Sequence, residues 1–221
     1  MISQSNRLAH SYLDAKQLVI SAGFAHEIDW QEDVRFDDLT EERFLREYTW
    51  VVFSSGFREA VLRRKFDGLT EAFRGLTNAS EVALHRRDCR RAALRVFGHQ
   101  GKVRAVLDTC KLIHMDGFSS LRNQLAAGGV EFIDRLPFMG PATSYHMAKN
   151  IGLDVVKPDR HLVRIAHGSG FESPHDFCAS INAMVGDAIS VVDVVVWRYA
   201  TLYPQALLPG FVPTFYCVRG F

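Results

Sequence analysis

The chain has no CxxC pair and no closely spaced set of metal ligands, so its sequence offers neither a zinc knuckle nor an iron-sulfur loop. Its four cysteines, Cys89, Cys110, Cys178 and Cys217, are scattered and read as buried free thiols. The first twenty residues, MISQSNRLAHSYLDAKQLVI, lack a continuous apolar core, which excludes a signal peptide or a membrane span there. A cytoplasmic monomer without membrane association is therefore expected. Internal repeats, low-complexity runs and an obvious linker are all missing, and strand-like alternation is scarce.

What the chain does have is helical periodicity. Leu8, Tyr12, Ala15, Leu18 and Val19 recur at spacings of three and four, and similar patterns continue toward the C-terminus. An all-α fold follows. Thr40 before Glu41 and Glu42 reads as an N-cap with acids suited to the positive end of a helix, which should run to about Phe53. Ser54, Ser55 and Gly56 then make a turn, Gly75 ends the next helical stretch, and Ser80 is the expected cap of an arginine-rich helix closed by Gly98. A helix over Lys102 to Met115 follows, then a short one capped by Ser119 or Ser120 and ended by Gly128 and Gly129. The prolines Pro204, Pro209 and Pro213 read as a wrapping C-terminal extension.

The net charge of +1 conceals a segregated distribution. From Glu27 to Glu47 acids outnumber bases, whereas from His85 to Arg104 the bases Arg86, Arg87, Arg90, Arg91, Arg95, Lys102 and Arg104 meet the single acid Asp88. The second stretch can attract a polyanion, and equally it can be a solvated helix face.

The segment FIDRLPFMGPATSYHMAKNIGLDVVKPDRHLVRIA, from Phe132 to Ala166, is the most informative. It reads as a short helix, a tight turn over Leu136-Pro137-Phe138-Met139-Gly140-Pro141, and a second helix through Gly152. Pro141 sits just inside that second helix, where its missing amide costs nothing, and the remaining free amides form an anion site suited to a DNA phosphate. This segment resembles the helix-hairpin-helix motif, LPGxGxxTA, of the base-excision DNA glycosylase superfamily. Leu136, Pro137, Gly140 and Thr143 stand in register, and the superfamily's Gly/Pro-rich loop and aspartate are matched by Lys157-Pro158-Asp159-Arg160-His161-Leu162. The resemblance covers about thirty-five residues closely. More diffusely, Tyr48 to Phe73 is similar to bacterial 3-methyladenine glycosylases of the first type, whose zinc ligands and pocket glutamate have no counterparts here.

The resemblance implies a two-lobed helical fold with a DNA cleft between the lobes, one lobe spanning about 50–135 and the other 1–49 plus 136–221 with the hairpin (132–152) and Asp159. It also implies double-stranded DNA carrying a modified base as partner. No organic cofactor or side-chain metal site is implied, though relatives hold a monovalent cation on hairpin carbonyls. Two departures stand out: the first hairpin glycine is Phe138, and the position of the Schiff-base lysine of bifunctional members is Ala142, which cannot form an imine.

Glycosidic cleavage builds positive charge on the deoxyribose, which a carboxylate can stabilise while orienting or deprotonating water. Asp159 is the candidate, and an N-cap is its structural alternative. Lys157, His161 and Arg164 are candidates for flanking phosphates, or else solvated surface. Pro137, Gly140 and Thr143 are the hairpin contacts, and Ser54 and Ser55 occupy the turn where relatives fill the gap left by the extruded nucleotide. Tyr48, Trp50, Tyr145, His146 and Trp197 are candidate walls for the flipped base, or ordinary core. Asp193, inside the apolar run SVVDVVVWRYA, needs a partner such as Arg198 or a role in reading the base. The expectation is a monofunctional DNA glycosylase that hydrolyses an alkylated, deaminated or hypermodified base, such as a phage cytosine derivative, in genome repair or in defence. Its rivals are a non-catalytic hairpin DNA-binding module and a helical scaffold without DNA affinity.

Overall fold

The computed structural model of the chain describes residues 4–204, so Pro209, Pro213 and Cys217 lie outside the described residues. Every regular element among the described residues is helical, as the periodicity predicts. Contacts divide the chain into two compact units, Arg35–Leu153 and the pair of segments on either side of it, Met1–Val34 with Asp154–Phe221.

The central unit holds α3 (Glu41–Ser54), α4 (Glu59–Ala72), α5 (Ala79–Leu84), α6 (Arg86–Val96), α7 (Gln100–Asp116), α8 (Phe118–Ile133) and α9 (Pro141–Asn150). Helix α3 packs on α7 and α9, and α8 on α9. Those contacts draw residues 35–49 and the whole hairpin into this unit, moving its boundaries outward from the expected 50 and 135. Phe44, Leu45, Tyr48, Val51, Val52 and Phe53 of α3 are fully buried, together with Leu62, Leu69, Val106, Cys110, Leu121, Leu125 and Met147. The other unit contains α1 (Gln4–Val19), α2 (Ala25–Asp33), α10 (Arg160–Gly168), α11 (Pro174–Val185) and α12 (Ile189–Leu202). Tyr12, Ala15, Leu162, Phe177, Val192 and Val196 share its core. The apolar run of α12 is thus an interior helix, and no single helix among the described residues is long and apolar enough to cross a membrane.

Local chemistry explains most element ends. Thr40 accepts the Arg43 amide at 3.2 Å and caps α3 as expected. Ser80 does not cap the arginine helix. Asn78 caps α5 instead, accepting the amides of Ser80 and Glu81 at 2.8 and 3.3 Å, and His85, with φ −105° and ψ 26°, breaks the chain before α6. Helix α8 starts at Phe118 rather than at a serine cap, and its first segment stops at Gly128 and Gly129 as expected. Gly129, at φ +49° and ψ −132°, breaks the helical path, and a short second segment runs on to Ile133. Gly152, at φ +88°, closes α9 where a Cβ would stand 2.4 Å from the backbone of Arg35 and Phe36, so only glycine fits. Cys89, Cys110 and Cys178 are free and buried, and burial pushes the Cys110 thiol up to about 12, which makes it unreactive.

Candidate functional site

The hairpin turn is held from inside its own unit. Tyr48, buried on α3, donates its hydroxyl to the Pro137 carbonyl, and Leu136 is in the core. At the start of α9 the Thr143 hydroxyl accepts the Gly140 amide at 2.8 Å and donates to the Gly140 carbonyl at 3.0 Å. Ser144, fully buried, donates to Asp134 Oδ1 at 3.0 Å and ties the second helix to the end of the first. With Pro141 lacking an amide, Ala142 and Thr143 are left with first-turn amides that have no acceptor among the described residues. Gly140 itself is extended, at φ −165°, and a Cβ there would meet nothing within 4 Å. Neither the backbone nor internal packing requires glycine at this position, so the space it leaves is open to an external partner.

Phe138 lies at φ +66°, a conformation that costs an L side chain on the order of 1 kcal/mol. Its ring, 40% exposed, lies edge-on to His99 with centroids 5.8 Å apart and 4.9 Å from the Lys102 ammonium. Lys102 is only 1% exposed and was counted in the sequence merely as one base of a basic run. Its Nζ donates to the carbonyls of Val52, of Ser55 at 2.6 Å and of Phe53 at 3.5 Å, satisfying the end of α3, and it also faces the Phe57 ring at 5.2 Å. Burial lowers its pKa to about 8. Lys102 therefore joins the Ser54–Ser55 turn to the hairpin turn. The signal in the sequence was its register with Val106, Thr109 and Ile113, which puts it on the buried face of α7.

Three hairpin carbonyls are already engaged: Leu136 by the Met139 amide, Pro137 by Tyr48, and Gly140 by Thr143 and Ser144. Only the Phe138 and Met139 oxygens remain without a partner among the described residues.

Asp159 lies in the other unit, as the N-cap of α10. Its Oδ1 accepts the amides of His161 and Leu162 at 2.8 and 2.9 Å, while Oδ2 has no partner among the described residues. Asp193, 2% exposed, accepts the Lys157 amide at 2.9 Å through Oδ2 and so fixes the loop two residues before Asp159. Arg198, the partner considered from sequence, forms a two-pronged pair with Glu27, through Nε at 2.8 Å and Nη2, while stacking on Phe24 and Trp197. Asp154 caps α12 by accepting the Ser190 amide at 2.7 Å. No family model, no curated protein and no solved structure matches this chain.

The candidate residues thus fall into two sets. The central unit holds Tyr48, Trp50, Ser54, Ser55, Pro137, Gly140, Thr143, Tyr145 and His146, and the other unit holds Lys157, Asp159, His161, Arg164, Asp193 and Trp197. Tyr48 is a support of the hairpin with no exposed surface, and the Ser54 hydroxyl folds back on the Val51 carbonyl at 3.1 Å. Trp50 is half-buried, edge-on to Phe66 and covered by Arg63. Tyr145, His146 and Trp197 are half-buried. Arg164 is exposed and Lys157 half-buried, while His161 keeps a buried Nδ1 without a hydrogen-bond partner.

Proposed function

We propose that the chain is a monofunctional DNA glycosylase with the two-lobed helix-hairpin-helix fold of that superfamily. The observation that carries this reading is the Asp159 carboxylate, with one oxygen fixed by two helix amides and the other unpartnered among the described residues, nine residues beyond the end of α9, the hairpin helix whose first turn offers two free amides. In this reaction the bond from C1′ of the deoxyribose to the base breaks and the base leaves with the electron pair. Asp159 stabilises the positive charge on the sugar and accepts a proton from the water that forms the new C1′–O bond. An abasic site and a free base result. Ala142, exposed where a lyase would carry its lysine, supports hydrolysis without strand cleavage. The hairpin amides hold a backbone phosphate, and the half-buried aromatic residues supply candidate walls for the extruded base.

The test is incubation of the wild type and Asp159→Asn with alkylated, uracil-containing and phage hypermodified DNA, scoring alkali-labile sites. Abasic sites from the wild type alone support the reading, and the responsive DNA identifies the base class. Binding without base release by either protein supports the non-catalytic hairpin module instead.

A further inference from the structure

The arginine run resolves into a cavity rather than a uniformly solvated face. Arg86 and Arg90 of α6, one turn apart, and Arg104 of α7 line a pocket of about 310 Å³ with Gln100, Gly101 and Leu107. Arg86 donates to Asp108 Oδ1 at 2.6 Å and Arg104 to Asp108 Oδ2 at 3.3 Å, so one carboxylate orients two guanidinium groups and leaves an excess of positive charge. The supply of donors exceeds the acceptors available. Arg90 has no ion pair among the described residues, and Arg104, 80% exposed, keeps guanidinium donors beyond its one bond to Asp108. The amides of Gln100 and Gly101 begin α7 without acceptors among the described residues, since His99 takes those of Lys102 and Val103. A group with several acceptor oxygens and negative charge satisfies this set, as a phosphate does.

Position narrows the source of that phosphate. A Cβ on Gly101 would lie 3.5 Å from the Phe138 ring, so the pocket adjoins the hairpin turn within the same unit. We propose that the Arg86–Arg90–Arg104 pocket binds a backbone phosphodiester of the duplex held by the hairpin, as a second phosphate anchor. This rests on the DNA-binding part of the function proposed above and not on base excision.

Salt titration of duplex binding tests it with the full chain. Arg90 and Arg104 are exposed, Arg104 by 80%, so Arg90→Ala/Arg104→Ala should fold normally. Its plot of log affinity against log salt should be shallower than the wild type's by about 1, equally on modified and unmodified duplexes. Arg90→Lys/Arg104→Lys should restore the slope, and Arg91→Ala/Arg95→Ala, which removes the same charge from α6 outside the pocket, should leave it unchanged. A wild-type slope in the double alanine variant overturns the proposal while leaving hairpin binding intact, which loss of binding in Gly140→Lys verifies separately. A wild type that binds no duplex overturns both. If inorganic phosphate or a 5′-phosphorylated oligonucleotide raises the melting temperature of the wild type but not of the double variant, and the duplex slope is unchanged, the pocket takes a free or terminal phosphate and the phosphodiester assignment is wrong.

Discussion

Replacing Lys102 with methionine removes a buried charge while keeping an unbranched chain of similar length, and the consequence should depend on pH. The folded protein releases the Lys102 proton near pH 8, whereas an exposed lysine in the unfolded chain releases it near 10.5. Between those values the unfolded chain holds more protons, so the lysine makes the wild type more stable as pH rises through that window. The full shift corresponds to about 3 kcal/mol, of which about 2.5 kcal/mol is gained between pH 7 and pH 10. Below pH 8 the charged group retains its desolvation cost, partly offset by the carbonyls of Val52, Phe53 and Ser55 and the rings of Phe57 and Phe138. Methionine has nothing to titrate, and other groups titrate alike in both proteins. Thermal melts at half-unit pH steps should therefore show the wild type gaining on Lys102→Met by roughly 5–10 °C from pH 7 to pH 10. Parallel curves would refute the assignment of the lowered pKa to this buried lysine.

The remaining predictions separate support from chemistry. Asp159→Asn keeps an N-cap oxygen and should melt with the wild type while losing base excision by about a hundredfold or more, whereas Asp159→Ala should also lose about 1 kcal/mol of stability in urea melts. Gly140→Ala meets open space and should change stability by less than about 0.5 kcal/mol while weakening duplex binding measured by anisotropy. Gly152→Ala, with its Cβ against the Arg35–Phe36 backbone, should cost more than about 2 kcal/mol by denaturant unfolding. Asp193→Ala should destabilise by about 1–3 kcal/mol and slow base excision, and Asp193→Asn, which retains a carbonyl acceptor for the Lys157 amide, should recover most of both in melting and excision assays.

Several of these features were legible in the residues alone because they depend on short-range rules. The Thr40 cap, the proline opening α9 and the aspartate cap of α10 are set by neighbours within four residues. Errors arose where two local solutions compete. Asn78 outcompetes Ser80 because it reaches two amides at once. Asp193 declared its need for a partner by standing in an apolar run, but that partner is a backbone amide thirty-six residues earlier.

The sequence by itself determined an all-helical chain, the position of the hairpin and the cap at Asp159, since periodicity and capping act over a few residues. Tertiary structure decided the roles that depend on distant segments meeting. It made Tyr48 a clamp on Pro137 and buried Lys102 between the end of α3 and Phe138, and it gathered Arg86, Arg90 and Arg104 around one cavity. A charge in a sequence carries no record of its solvation. Only packing determines which lysine surrenders its water to carbonyls and rings, and which arginines are left with donors that a phosphate can satisfy.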